Sequence, residues 1–127
     1  MNQDAPSDFS VPVFDAGLLE ELLVMSEGDA AVLIEIVQQF KDDTVVLFES
    51  LDAAVRAGDF HRIADIAHTI KGSGATFGMV RLGALALRLE TAAKGADIAE
   101  IAQLHGPVKQ AYFDALHSLE AVLVQGL

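Results

Sequence analysis

Apolar residues recur every three or four positions along most of the chain, which is the spacing of helices that bury one face. The pattern covers four long segments, at about 29–57, 60–77, 82–93 and 97–124, and a shorter one after Asp15. In the first long segment it comprises Leu33, Ile36, Val37, Phe40, Leu47, Phe48, Leu51 and Val55. No segment shows the two-residue alternation of a half-buried strand. The pattern therefore predicts four long helices and one short N-terminal helix.

Short glycine-containing sequences that are typical of helix ends separate these segments. Gly28-Asp29, Gly58-Asp59 and Gly95-Ala96-Asp97 each fit a glycine that ends one helix, followed by an aspartate that caps the next. Gly78 offers a turn between the second and third long segments. Gly106-Pro107 interrupts the last segment, where a proline should kink or restart the helix because it lacks a backbone donor.

Short connections between long helices favour antiparallel neighbours. We therefore predict an all-α fold, an antiparallel four-helix bundle with a short extra N-terminal helix. Residues 1–11 are polar and should form a flexible tail, and residues 12–127 should form a single domain. A chain of 127 residues that is 52% hydrophobic has enough apolar material for one core of this kind.

Composition narrows the possible environments and partners. No apolar run reaches the length of about 20 residues that a membrane span needs, and the N-terminus lacks a secretory pattern, so we expect a cytoplasmic protein. The absence of cysteine excludes disulfides, thiolate metal sites and cysteine nucleophiles. A net charge of −11 repels nucleic acid and anionic membranes, so neither is an expected partner.

The few basic residues are concentrated in one part of the chain. Residues 59–94 hold five bases and three acids, whereas the rest of the chain holds three bases and sixteen acids. One interpretation is that this segment handles an anionic group. The alternative, an uneven distribution without functional meaning, stays open on charge alone.

The same segment contains HTIKGSGATFG, residues 68–78. If the helix buries the face of Ala67, His68 lies about 100° away and is at least partly exposed. Its neighbours one turn away are Ala64, Asp65, Lys71 and Gly72, and Ala75 lies one turn further. A neutral imidazole is a nucleophile, and an ammonium at i+3 would offset the charge of a phosphoryl group bound to it. Each glycine inside a helix costs about 1 kcal/mol relative to alanine, which suggests that Gly72 and Gly74 have a use.

This peptide resembles the signature of histidine-containing phosphotransfer (HPt) domains. PVFD at 12–15, the order of the helices and LRLE at 87–90 extend the resemblance over about residues 11–124. The resemblance implies a four-helix bundle whose His68 carries a phosphoryl group between a sensor histidine kinase and the aspartate of a response-regulator receiver domain. It implies that Lys71 is a cation beside the phosphate and that Gly72 is the gap that admits the receiver.

The remaining partner-binding candidates are Ala64, Asp65, Ala75, Arg88 and Lys94, of which the last two resemble basic residues of the neighbouring helix in the family. We expect no stably bound cofactor, because Mg²⁺ should come from the receiver. We also expect the protein to be a monomer. It should not be a kinase or another enzyme in its own right, because its glycines follow no strand and form no nucleotide-binding loop.

Two other functions fit parts of the sequence. A helical protein-interaction module without phosphotransfer would show the same periodicity. A metal-binding bundle is suggested by Asp65-x-x-His68 and Asp114-x-x-His117, which each put a carboxylate and an imidazole on one helical turn. Such a site needs further inward carboxylates, and none of Glu35, Glu49 and Glu90 is clearly on a core stripe. Lys71 beside His68 would also repel a metal cation.

Overall fold

The computed structural model describes residues 12, 13, 15, 17, 20, 21, 24 and 30–125. Residues 30–125 contain four helices: α1 (Ala30–Ala57), α2 (Phe60–Thr76), α3 (Val80–Lys94) and α4 (Ile98–Gln125). This confirms the predicted all-helical bundle. Gly17, Glu20, Glu21 and Val24 are also helical, as expected for the short N-terminal helix. The predicted tail, residues 1–11, lies outside the described residues.

Aspartate caps begin two of the helices as predicted. The side chain of Asp59 accepts a hydrogen bond from the backbone N–H of Arg62 at 3.1 Å, and Asp97 does the same for Glu100 at 3.1 Å. These bonds satisfy donors that have no partner within the first turn of a helix. The third predicted cap, Asp29, lies outside the described residues.

The turns that end the helices follow the predicted positions, with one difference. Gly58 and Gly78 have φ values of +66° and +69°, a left-handed conformation that favours glycine. At the end of α3, Gly95 has an ordinary φ of −90°, and the left-handed residue is instead Ala96 at +52°. The backbone N–H of Ala96 bonds to the carbonyl of Ala93, and this turn leads directly to the Asp97 cap.

The last helix does not restart at Gly106-Pro107, so that part of the prediction is wrong. α4 continues from Ile98 to Gln125 with Pro107 inside it. Leu104 and Val108, on either side of the proline, are both buried in the core. Their packing stabilises the helical path on both sides of the missing hydrogen bond, and tertiary contacts of this kind commonly override a local propensity.

The four helices form a closed ring in chain order. The contact between α2 and α3 is the most extensive, followed by that between α3 and α4 and then that between α1 and α2. The ring closes where α1 makes a smaller contact with α4. Connections of two or three residues make successive helices antiparallel. Within residues 30–125, no helix combines the length and apolar character of a membrane span.

Aromatic rings and ion pairs hold α1 against its neighbours. The Phe40 ring lies 4.5 Å from Phe77, after α2, and the Phe48 ring lies 5.2 Å from Tyr112 on α4, measured between centroids. Nearby, Asp52 on α1 accepts a hydrogen bond from Lys109 Nζ at 2.9 Å and lies 2.6 Å from His105 Nε2. Aromatic and charged contacts thus join α1 to α4 on the side of the bundle away from the α2–α3 face.

The two glycines within the His68 helix have different surroundings. A Cβ on Gly74 would lie 3.0 Å from Leu82 Cδ2 and 3.6 Å from Met79 Cβ, so the missing side chain lets α2 approach α3 closely. A Cβ on Gly72 would meet no atom within 4 Å. Gly74 is therefore explained by packing, whereas the fold gives no reason for glycine at position 72.

Replacing each glycine with alanine should separate these roles. We expect Gly72→Ala to raise the free energy of unfolding by about 0.5–1 kcal/mol, because alanine favours the helix and meets nothing. Gly74→Ala should lower it by about 1 kcal/mol or more, because the methyl group overpacks against the buried Leu82. Urea unfolding of both variants measures the difference. Equal stabilisation by the two substitutions would contradict the close packing at Gly74.

Candidate functional site

His68 lies on the face that α2 shares with α3. Its neighbours Ala67 and Ile70 are buried in the core, and this fixes the rotation of the helix. The imidazole side chain is 66% exposed, as the sequence predicted. Its Nδ1 atom is not free, because it lies 3.1 Å from Oε2 of Glu90 on α3. One ring nitrogen is therefore held by the protein while much of the ring remains open to solvent.

Glu90 is a buried carboxylate at the centre of this site. Its side chain is only 8% exposed. Burial raises the pKa of Glu90, but hydrogen bonds from Lys94 and Lys71 and the charges of these two residues outweigh burial, and the pKa lies below its ordinary value. Glu90 is therefore ionised at neutral pH and acts only as a hydrogen-bond acceptor.

Two lysines complete the group of charges around this carboxylate. Lys71 Nζ lies 3.2 Å from Oε1 of Glu90, and Lys94 Nζ lies 3.2 Å from Oε2. Lys71 is one turn after His68 on α2, and Lys94 is one turn after Glu90 on α3. The Lys94 side chain is 67% exposed, so it can move towards a group bound at His68. We call His68, Lys71, Glu90 and Lys94 the His68 cluster.

The contact with Glu90 determines which nitrogen of His68 is reactive. An ionised carboxylate accepts hydrogen bonds, so the network assigns the proton to Nδ1. In the neutral ring, Nε2 then carries the free lone pair. No group among the described residues bonds to Nε2. The cluster thus presents Nε2 as a nucleophile beside two ammonium groups.

Small residues follow His68 along the outer surface of α2 and α3. Gly72 and Ala75 are exposed on α2. On α3, Gly83 and Ala84 line a shallow groove that also contacts Lys71 of α2. Leu87 adds an exposed apolar side chain on α3. Small side chains at these positions leave room for the backbone of another protein to approach this face.

The other predicted site residues lie in different environments. Ala64 is buried and offers almost no contact surface to a partner. Asp65 is exposed and lies 3.5 Å from Nε2 of His61. Arg88 Nη2 lies 2.6 Å from Oε2 of Glu100, so this contact points Arg88 towards α4. The structure therefore brings Lys94 to the His68 cluster but does not bring Arg88 there.

The structure gives no support to the metal-binding alternative. Across the part of the chain that is described, no three His, Asp or Glu side chains are grouped to hold a metal ion. The carboxylate next to His68 is occupied by two lysines.

Sequence reasoning missed Glu90, which it left off the core stripe. The signal was present in the helical spacing, because Ala86 and Ala93, at i−4 and i+3, are buried on either side of Glu90 along one line of α3. A glutamate in such a line is unusual enough to indicate a partner, since carboxylates are rarely buried unless they are paired.

Comparisons with known proteins give one match to a protein family and one to a solved structure. The model of the Hpt domain family matches residues 35–122. Among solved structures, the chain resembles histidine-containing phosphotransfer protein B (HptB) from Pseudomonas aeruginosa PAO1, with a TM-score of 0.68 and 24% sequence identity, over 92% of this chain and 96% of that one. At this identity the likeness supports the fold alone. No curated protein gave a significant sequence match.

The ionised state of Glu90 makes a prediction for acid stability. Because the folded pKa lies below the ordinary value of 4.5, the stabilisation from Glu90 should be complete above about pH 4.5 and be lost as the pH falls through the folded pKa. Glu90→Gln should lower the free energy of unfolding by about 1–2 kcal/mol at pH 7, through loss of charged hydrogen bonds.

The difference in the free energy of unfolding between wild type and Glu90→Gln should become smaller as urea unfolding is repeated from pH 7 down to pH 3.5. A difference that is the same at every pH would show that Glu90 contributes through packing and not through its charge. Glu35→Gln, which removes an exposed carboxylate on α1, is the matched control and should change little at pH 7.

Proposed function

Because the chain belongs to the Hpt domain family, it is a phosphotransfer intermediate of a phosphorelay, and we propose that His68 is the residue that carries the phosphoryl group. The observation that supports this assignment is the contact between His68 Nδ1 and the buried Glu90 carboxylate. It leaves Nε2 as the nucleophile on an exposed ring. His61 differs, because its carboxylate neighbour is Asp65, whose side chain is 70% exposed.

The proposed reaction is a direct displacement at phosphorus. The lone pair of His68 Nε2 attacks the phosphoryl group of a donor aspartate as the bond from phosphorus to the aspartyl oxygen breaks. In the reverse direction a receiver carboxylate attacks the phosphohistidine. The protein's contribution is to hold the ring in one orientation and one tautomer, so that the reacting nitrogen is already positioned.

Lys71 and Lys94 are proposed to stabilise the charge of the transferred group. A bound phosphoryl group brings a charge of about −2 next to the ring. Both ammonium groups are held near His68 through their contacts with Glu90, so they are present before the phosphoryl group arrives. The chain thereby supplies two cations beside the Glu90 carboxylate in an otherwise strongly acidic protein.

Proteins of this family work between histidine kinases and response regulators, and they carry phosphoryl groups without being kinases. For this chain we propose the same partners, a carrier role without catalytic activity of its own, a monomeric state and a cytoplasmic location. The surface formed by Gly72, Ala75, Gly83, Ala84 and Leu87 is the proposed docking area for a receiver domain. The receiver would supply the Mg²⁺ that its own phosphoaspartate requires.

The first experiment tests His68 as the carrier. Wild type, His68→Gln and His61→Gln are incubated with a panel of autophosphorylated sensor kinases that have attached receivers. We expect labelling of wild type and His61→Gln, stable in alkali and labile in acid, and no labelling of His68→Gln. Circular dichroism checks that all three remain folded. Labelling of His68→Gln at the wild-type rate would assign the phosphoryl group to another residue.

A second experiment tests Gly72 as the opening for the receiver. Gly72→Gln places a long side chain one turn from His68, and we expect it to slow transfer from a receiver at least about tenfold by steric exclusion. Gly72→Ala is the matched control and should remain within about threefold of wild type, because a methyl group barely extends from the helix.

Chemical phosphorylation with phosphoramidate separates docking from chemistry. This small donor needs no docking surface, so it should label both Gly72 variants at similar rates. Transfer from the receiver to Gly72→Gln at the wild-type rate would show that position 72 does not contact the receiver.

A further inference from the structure

Phosphotransfer to and from histidine depends on a proton that does not itself move. When the phosphorus–Nε2 bond breaks, the ring leaves as a neutral imidazole if Nδ1 carries a proton, but as an imidazolate anion if it does not. An anion of this kind is a very poor leaving group, so only the protonated phosphohistidine is a competent donor. A free imidazole has a pKa of about 6.5, and an unassisted ring would therefore lose this proton within the neutral range.

The phosphorylated ring is positively charged when Nδ1 is protonated, and Glu90 lies directly against that nitrogen. The distance from Nδ1 to Oε2 is 3.1 Å, and the carboxylate is almost completely shielded from water. An opposite charge at hydrogen-bond distance favours the charged form of a group, and low exposure strengthens the effect. We propose that Glu90 keeps Nδ1 of phosphorylated His68 protonated throughout the neutral pH range, so that transfer needs no proton from solvent.

The other charges around His68 support this assignment. From α3 the ring faces Glu90 and Lys94, and on its own helix it lies between Asp65 and Lys71. Asp65 is exposed and paired with His61, so its effect is screened by water. The two lysines would repel a protonated ring in the unphosphorylated protein. A phosphoryl group of charge about −2 balances both lysines, which leaves the Glu90 carboxylate to balance the ring.

The proton stays on Nδ1 in both directions of the reaction. In transfer to a receiver, an aspartate oxygen forms a bond to phosphorus, the phosphorus–Nε2 bond breaks, and its electron pair returns to Nε2. The product ring is neutral and still carries its Nδ1 proton. In the reverse direction, the Nε2 lone pair forms the bond and the aspartate leaves as a carboxylate. Glu90 is therefore a positioning residue that never bonds to phosphorus.

This inference rests on the proposed role of His68, and one set of samples tests both. Wild type, Glu90→Gln, Glu90→Asp and the control Glu35→Gln are labelled with ¹⁵N-histidine and phosphorylated with phosphoramidate. Long-range ¹H–¹⁵N spectra between pH 6 and 8.5 then report whether Nδ1 of the phosphohistidine is protonated. The rate of phosphoryl loss is followed over the same range.

We expect Nδ1 of wild type and Glu35→Gln to stay protonated up to pH 8.5, with a rate of phosphoryl loss that changes less than about threefold. In Glu90→Gln the amide oxygen can still accept the hydrogen bond but carries no charge. Nδ1 of this variant should deprotonate near neutral pH. Above that pH the rate of phosphoryl loss should fall about tenfold for each further pH unit, as expected for the loss of one proton. Glu90→Asp retains the charge, so the pH at which its Nδ1 loses the proton should be closer to that of wild type than in Glu90→Gln.

The two hypotheses fail in different ways. If wild type and Glu90→Gln lose the Nδ1 proton at the same pH, the role of Glu90 is wrong, although His68 remains the carrier. If the phosphoryl group is found on a histidine other than His68, the proposed function of His68 is wrong. A purely structural role for Glu90 would change the stability of Glu90→Gln and leave its pH profile parallel to that of wild type.

Discussion

The site depends on one buried carboxylate. Glu90 lies between α2 and α3, where it bonds to His68 and Lys71 on one helix and to Lys94 on its own. Burying a charge is unfavourable unless hydrogen bonds and opposite charges compensate for it, and these three partners do so. Because the partners are drawn from both helices, the compensation also fixes how the helices are aligned. The orientation of the His68 ring follows from that alignment.

The packing of the bundle explains how this arrangement is maintained. Gly74 lets α2 approach Leu82 on α3, while the buried Ala67 and Ile70 set the rotation of α2 about its axis. These contacts fix the separation of the two helices and hence the distance between His68 and Glu90. The contacts of α1 with α4, including the Asp52 group and the ring of Tyr112, stabilise the opposite side of the bundle, away from the His68 cluster.

The distribution of charge matches a protein that handles one anion transiently. The chain carries a net charge of −11, but the His68 cluster holds two ammonium groups for one carboxylate. In the proposed carrier role, a phosphoryl group on His68 would gain favourable interactions with both cations, while the net negative charge of the chain disfavours other anions. The open position at Gly72 would give the proposed partner access, and a glycine there makes the helix less stable than alanine would. Stability and access are thus opposed at this position, and the sequence favours access.

The amino-acid sequence by itself determined the four long helices, the aspartate caps of two of them and the exposure of His68. These features depend on neighbours within a few residues, as in the spacing of Leu82, Leu85 and Leu89 or the capping of Arg62 by Asp59. The continuity of α4 through Pro107 was not predictable in this way, because packing around Leu104 and Val108 outweighs the local effect of proline.

Only the tertiary structure decided the composition of the site. Glu90 is 22 residues from His68 in the chain, and no local pattern states that the two side chains meet. Arg88 and Lys94 looked equivalent in the sequence, yet the rotation of α3 directs Lys94 to the His68 cluster and Arg88 to Glu100. Which side chains meet across two helices depends on their separation and rotation. Those are set by the packing of the whole core.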